Sequence, residues 1–307
     1  MLDAVDTALV RALQGDGRAT YQALADAVGL SRTAVRSRVK QLVDTGAIRI
    51  VGVLHAGVLG KEVLGQVSLQ MCGPVRPVLD ELYAWGTVTF AAQTAGQFPA
   101  VAYLRVHDDT DLAHALAELR ALPGVAATDV FRTESVVKDA YTSAGTLRDT
   151  AIDPLDWRLV RHLQSDGRAS YATLARHVGL SQAAARSRVV RLLNAGVVHV
   201  TAVVEPSVVG SEEQIGFGVL CRGDAASLAC RLADFSAVSF AATGFGRHDV
   251  IGTITATDRG LLAEVLELIR ADDAVNHVET WEYLSVTKEP HRDLVSVADG
   301  DSPEEQE

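Results

Sequence analysis

Apolar residues recur at helical spacing in three short stretches near the start of the chain, and the same stretches return about 150 residues later. Val5, Leu9 and Leu13 step by four behind Asp3, whose carboxylate suits a helix N-cap. The matching segment opens with Asp153 and then Pro154, a residue favoured at the first helical position because its missing N–H has no intrahelical partner to lose. Thr20 and Ser170 are placed to cap a second, short helix, which carries Leu24, Ala25 and Val28 in the first copy. Gly29 and Gly179 stop it, since a left-handed backbone is easiest without a Cβ. A third helix begins at once behind Ser31 or Ser181, with Val35, Val39 and Leu42 as its inward stripe and Gly46 at its end. This order is that of a helix-turn-helix. The β-rich run Ile48-Arg49-Ile50-Val51-Gly52-Val53 then suits a wing or an arm strand leading onward.

Beyond it the period changes. Val67-Ser68-Leu69-Gln70-Met71 alternates as a half-buried strand, and Val75, Val78, Leu79 and Leu82 mark a helical face. Strand candidates at 87–93 and 101–106 flank a turn at Thr94-Ala95-Gly96; Leu112, Leu116 and Leu119 predict a second helix, and 125–137 a last strand. The order βαββαβ is the ferredoxin-like arrangement, with both helices on one face of an antiparallel sheet, and the second copy repeats it over 215–286. The other face needs a cover, and a second such sheet is an economical one. The expected fold class is therefore α+β, with two tandem units, each a winged-helix-like helix-turn-helix domain followed by a ferredoxin-like domain.

The duplication is of a whole unit. Asp16-Gly17-Arg18-Ala19 falls on Asp166-Gly167-Arg168-Ala169, Val28-Gly29-Leu30-Ser31 on Val178-Gly179-Leu180-Ser181, and Arg36-Ser37-Arg38-Val39 on Arg186-Ser187-Arg188-Val189. Roughly half of the first 60 positions are identical without a gap. The expected domains are 1–60 and 152–210 for the helix-turn-helices, 61–140 and 211–290 for the ferredoxin-like domains, 141–151 for a linker and 291–307 for an acidic disordered tail.

Composition permits a folded, modular chain: 307 residues, 48% hydrophobic and 22% charged. No apolar stretch reaches the roughly 18 residues of a membrane span, and Met1-Leu2-Asp3-Ala4 lacks a signal pattern, so a cytoplasmic, nucleoid-associated protein without membrane contact is expected. Cys72, Cys221 and Cys230 show no metal spacing and read as reduced packing residues. No metal, cofactor or catalytic set is expected.

The net charge of −11 argues against a nucleic-acid partner until its distribution is examined. Residues 2–50 hold seven basic side chains against Asp3, Asp6, Asp16, Asp26 and Asp44; the second copy sets seven arginines against Asp153, Asp156 and Asp166. The acidity resides elsewhere, and these segments suit double-stranded DNA. With Val35, Val39 and Leu42 inward, Thr33, Arg36, Ser37 and Lys40 face outward, and Arg32 sits at the helix start. Arginine can bond two guanine acceptors, while Lys and Ser contact phosphate. In the second copy the candidates are Gln182, Arg186, Ser187, Arg188 and Arg191, but Gln182 replaces Arg32 and Val190 replaces Lys40, so its reading chemistry differs. Arg38 and Arg188 lie nearer the core edge, where an ion pair with a helix-one aspartate and a DNA contact are both open.

Leu2-Asp3, Asp6, Leu13-Gln14, Asp16-Gly17-Arg18, Gly29-Leu30-Ser31, Arg38-Val39, Leu42 and Gly46, with their partners in the second copy, resemble the leucine-responsive regulatory protein (Lrp/AsnC) family over nearly the whole chain. The resemblance implies a transcriptional regulator that dimerises, binds DNA through its third helix and senses amino acids or related small molecules between ferredoxin-like domains. It also implies homo-oligomers, here with each chain a pseudo-dimer and four chains forming an octamer-like ring. The family's G-x-x-D turn is retained as Gly246-Arg247-His248-Asp249 and reads Gly96-Gln97-Phe98-Pro99 in the first copy, which loses the carboxylate. Gly96, Gln97, Gly246, Arg247, His248 and Asp249 are thus effector candidates by resemblance, with unequal sites expected; Gly246 and Asp249 equally suit a purely turn-shaping role.

Two other readings stay open. Siroheme decarboxylases resemble the same family and also occur as fused pairs, although their His- and Arg-containing motifs are not recognisable here and no histidine recurs at a shared repeat position. A ligand-binding or assembly protein whose helix-turn-helices serve as scaffold is the third.

Overall fold

The structure is a computed structural model and describes residues 2–139, 147–148, 150–204, 213–256 and 258–288. The expected linker at 141–151 lies mostly outside these residues, and the expected tail at 291–307 wholly so. In chain order the first repeat contributes α1 (Ala4–Gly15), α2 (Tyr21–Val28), α3 (Arg32–Asp44), β1 (Ile48–Leu54), β2 (Val63–Met71), α4 (Val75–Ala84), β3 (Val88–Ala95), β4 (Ala100–Val106), α5 (Asp109–Ala121) and β5 (Val125–Asp139). The second contributes α6 (Pro154–Ser165), α7 (Tyr171–Val178), α8 (Gln182–Asn194), β6 (Val198–Val204), β7 (Glu213–Cys221), α9 (Ala225–Ala233), β8 (Val238–Phe245), β9 (Val250–Ala256), α10 (Arg259–Arg270) and β10 (Val275–Lys288). They form two compact units, and each unit draws on both repeats.

In the first unit the caps form where the sequence sets them. The Asp3 carboxylate accepts from the Asp6 N–H at 2.7 Å, and Asp153 and Asp156 satisfy one another in a reciprocal capping box. Thr20, Ser31, Ser170 and Ser181 each accept from the backbone three residues on, and Gly29 and Gly179 close α2 and α7 at φ 69° and 72°. The run after α3 is an arm, not a wing: β1 pairs antiparallel with β6, from Ile48 opposite Val204 to Leu54 opposite Val198. Almost every β1 side chain is buried, because its two faces are covered by different repeats. Val200 and Ala202 of β6 therefore complete the core built by Leu9, Leu13, Leu24, Val35 and Val39.

The second unit holds two four-stranded sheets, ordered β3-β4-β2-β5 and β8-β9-β7-β10, which is the ferredoxin-like order in each repeat. Val67 and Leu69 face Leu79, Leu82, Leu112 and Leu119 of the covering helices. The opposite faces meet: β5 pairs with β8 and β10 with β3, closing an eight-stranded barrel whose interior joins Phe90 and Tyr103 to Phe240 and Tyr283. The second sheet thus supplies the expected cover from within one chain. β2 begins four residues earlier than its alternation predicts, because every residue from Val63 to Val67 is buried, Gln66 included, so burial does not alternate there.

The expectation that all three cysteines are packing residues is corrected: Cys72 and Cys230 are exposed, and only Cys221 packs against a core. Among the described residues no helix is long and apolar enough to cross a membrane.

Candidate functional site

The two third helices carry the first candidate site. Val35, Val39 and Leu42 on α3, and Ala185, Val189 and Leu192 on α8, are buried. That orientation leaves Arg32, Thr33, Arg36, Ser37 and Lys40 on the outside of α3, and Gln182, Arg186 and Ser187 on the outside of α8. Among the described residues, Arg32, Arg36 and Arg186 make no hydrogen bond or ion pair. Lys40 bonds Asp44 one turn away on an open surface, a pair of roughly 0–1 kcal/mol that phosphate would displace readily.

Arg38, Arg188 and Arg191 are placed differently. Arg38 Nη1 lies 2.6 Å from Asp3 and 2.8 Å from Asp6, and Arg188 Nη1 lies 2.6 Å from Asp153 and 2.9 Å from Asp156. Arg191 also bonds Asp156 and donates to the Ala151 carbonyl at 2.9 Å. The Asp156 carboxylate is almost wholly buried, so its cations are part of the fold. The Asp6 N–H and then Arg38 hold the Asp3 carboxyl below its ordinary range, and Arg188 does the same for Asp153. Of the two roles the sequence leaves open for Arg38 and Arg188, the geometry is that of the ion pair joining the first helix to the third.

The second candidate site lies within the barrel unit. The turn between β8 and β9 holds Gly246-Arg247-His248-Asp249, and that between β3 and β4 holds Gly96-Gln97-Phe98-Pro99. A Cβ on Gly246 would stand 2.7 Å from the Val130 carbonyl, and one on Gly96 would stand 3.0 Å from the Trp281 Cβ, so both glycines serve close approach. The Asp249 carboxylate accepts from the Cys221 N–H at 2.8 Å, fastening the end of β7. Of the six candidates, Gln97, Arg247 and His248 line one cavity.

Other walls of that cavity come from strands. Arg247 donates to Gln97 at 2.6 Å and to Glu279 at 2.8 Å, and stacks 5.0 Å above Phe98. Burial lowers the pKa of His248, opposed by Glu279 at 3.1 Å; burial raises that of Asp129, opposed by Arg247 and His248. Gln66 is 4% exposed and its Nε2 has no partner; the Trp281 Nε1 is likewise buried without one. Both line the cavity. Sequence reasoning missed these strand residues. A signal was present: the 150-residue shift places Asp129 on Glu279 and Phe131 on Trp281, but Gln66 on Gly216.

That last difference makes the two repeats unequal. A Cβ at Gly216 would fall 1.9 Å from the Trp281 Nε1 and one at Gly218 would fall 2.4 Å from the His248 Nδ1, so these two rings fill the second repeat's side. Gln66 and Ser68 stand at the equivalent places in the first repeat and border the open cavity. The space therefore lies on the side whose turn lacks the carboxylate. Among the described residues there is no cluster of three potential metal ligands.

The AsnC-type helix-turn-helix domain matches the chain twice, at residues 2–43 and 152–193. Over 137 residues the chain is 32% identical to the HTH-type transcriptional regulator Rv2324 of Mycobacterium tuberculosis, an alignment that spans 44% of this chain and 93% of that protein. It is 25% identical over 129 residues to the HTH-type transcriptional regulator FL11 of Pyrococcus abyssi, spanning 41% and 85%. Each relative is spent on less than half of this chain, as a duplicated unit requires. Among solved structures, the siroheme decarboxylase NirDL superposes with a TM-score of 0.61 over 94% of this chain and 96% of that one; at 15% identity the likeness is one of fold. With the family's helix-turn-helix present in both repeats, and a single-unit regulator matched over nearly its full length, the chain belongs to the Lrp/AsnC family of DNA-binding transcriptional regulators, in tandem-duplicated form.

Proposed function

We propose that this cytoplasmic regulator reads an asymmetric duplex operator with α3 and α8 and adjusts its binding to an amino acid or related small molecule held in the barrel cavity. The observation that carries the reading is the pair of outward helix faces bearing uncommitted Arg32, Arg36 and Arg186 in two net-basic helix-turn-helix segments. Asymmetry follows from the side chains: α3 presents Arg32 and Lys40 where α8 presents Gln182 and Val190. The half-sites then differ in sequence, and the protein sits on its operator in one orientation.

The effector reading rests on the unsatisfied groups of the cavity. The Gln66 and Trp281 N–H groups want acceptors, as a carboxylate offers, while Asp129, whose carboxyl pKa burial raises, wants a donor, as an ammonium offers. A ligand bearing both groups fits that set. Homo-oligomers beyond the pseudo-dimer, with four chains in a ring, are proposed on family grounds.

Selection of bound fragments from genomic DNA, with and without a mixture of the twenty amino acids, tests the whole reading. Recovery of one asymmetric motif whose enrichment changes with amino acids supports it; no enrichment in either condition overturns the DNA-reading part. Gln66→Leu should abolish the amino-acid response and leave the motif unchanged. The whole-chain fold likeness to siroheme decarboxylase NirDL keeps one rival reading, and release of carbon dioxide from siroheme by the purified chain would establish it.

A further inference from the structure

The repeated Asp-Gly-Arg turns lie at the junction of the two helix-turn-helices, each against the other repeat. Arg18 crosses to the second repeat: its Nη1 donates to the Gly167 carbonyl at 2.6 Å, its Nη2 to the Ala169 carbonyl at 3.1 Å, and its guanidinium stands 5.0 Å over the Tyr171 ring. Arg168 answers in reverse, donating to the Ala19 carbonyl at 2.5 Å and standing 4.8 Å over Tyr21. Each turn is also fastened through its glycine. The Gly17 N–H donates to the Val200 carbonyl and the Gly167 N–H to the Ile50 carbonyl, both at 2.8 Å.

Nothing larger than glycine fits. A Cβ at position 17 would lie 2.8 Å from the Val200 carbonyl oxygen, and one at position 167 would lie 3.0 Å from the Val51 carbonyl carbon. Asp16 and Asp166 complete the turns by accepting the Arg18 and Arg168 N–H groups at 2.8 and 2.9 Å. The stacked rings belong to the first residues of α2 and α7, the helices that lead straight into α3 and α8. A planar guanidinium that bonds carbonyls in its plane while an aromatic ring covers its face is held in orientation as well as distance, which a lysine ammonium cannot reproduce.

We propose that Arg18 and Arg168 are positioning residues: their reciprocal clasp fixes α3 and α8 at one separation and one rotational phase, so the chain reads half-site spacing along with base sequence. This rests on the proposed reading of DNA by the two third helices. It also confines signalling, because a ligand response cannot work by spreading the two heads of one chain apart. Any response must move the clasped pair as one body or change how chains assemble.

The test uses the full chain and the duplex recovered by selection, with 1–5 base pairs inserted between its half-sites. Wild-type affinity should fall about tenfold or more at a half-turn insertion, where one helix no longer meets its groove. Arg18→Ala/Arg168→Ala should retain affinity for an isolated half-site, lose about tenfold at the natural spacing and vary by less than about threefold across the spacer series. Arg18→Lys/Arg168→Lys, which keeps the charge, should flatten the profile too. A variant profile as steep as wild type, in folded protein, overturns the proposal.

A second measurement needs neither DNA nor a fold intact to the last kilocalorie. Spin labels at Gln41→Cys and Asn194→Cys, with the native cysteines replaced by Ser, report the α3–α8 distance by pulsed electron resonance. One narrow distance with the clasp and a broadened distribution without it are expected; equal widths overturn the clasp. Failure of wild type to bind any DNA, with the narrow distance present, refutes the functional reading alone.

Discussion

Replacing Arg36 and Arg186 with alanine removes one uncommitted guanidinium from each reading helix. Each phosphate contact contributes about 0.9 to the slope of log affinity against log salt, so two such contacts account for about 1.8. Between about 50 and 200 mM salt that slope difference changes the ratio of wild-type to variant affinity by about twelvefold. If the same side chains reach guanine edges, the loss is instead roughly 1–3 kcal/mol per residue on the selected duplex, at either salt. The expected result is a loss of at least about tenfold at low salt with a slope reduced by no more than about 1.8. Fluorescence anisotropy across a salt series, on selected and unrelated duplexes, measures both terms. Arg38→Ala/Arg188→Ala supplies the contrast, since those guanidiniums are held by Asp3, Asp6, Asp153 and Asp156 and should cost stability while leaving the slope unchanged. Wild-type binding by the Arg36/Arg186 variant, or loss of the slope from the Arg38/Arg188 variant instead, would remove Arg36 and Arg186 from the DNA contact.

Three further outcomes are expected. Gly17→Ala should destabilise the first unit by about 2–4 kcal/mol in denaturant titration, because its methyl group meets backbone that is itself hydrogen-bonded to the same residue; an unchanged midpoint would show that the turn relaxes freely. Burial, then the stacked His177 ring 4.0 Å away, lowers the pKa of His162, so its neutral form belongs to the folded state. Its contribution to stability is complete above the ordinary value of 6.5 and is lost as pH falls below it; His162→Ala, which restores the first repeat's Ala12, should flatten melting temperature against pH in that window. A thiol reagent should modify Cys72 and Cys230 quickly and Cys221 slowly, since burial beside Asp249 raises the Cys221 thiol pKa; three equal rates would contradict that burial.

The helix-turn-helices were legible because their signals are local: Asp3, Thr20, Ser31 and Gly29 set caps and stops within a few residues of the apolar stripe they serve. The ferredoxin-like order was legible for the same reason, from period changes along each repeat. What could not be read was which repeat covers which. The Ile48-Val53 run is equally a wing or an arm until Val200 and Ala202 are seen in the first repeat's core, a relation between residues 150 positions apart. The candidate site divides in the same way. Outward positions on α3 and α8 follow from a turn angle, whereas the cavity depends on Trp281 filling the place that Gly216 vacates, which no periodicity encodes. Arg38 lay between these cases, since its ion pair with Asp3 joins helices one and three.

The closed barrel has a consequence for life among relatives. β5 finds β8 and β10 finds β3 inside one chain, so no strand end of either sheet is left for a homologous single-unit protein to occupy. A two-chain pairing dissolves on dilution and can exchange partners with any compatible paralogue in the cell. Here the mate is covalently supplied at constant local abundance. Such a protein stays paired at a few copies per cell, never forms mixed couples through these edges, and leaves each half free to diverge in what it recognises.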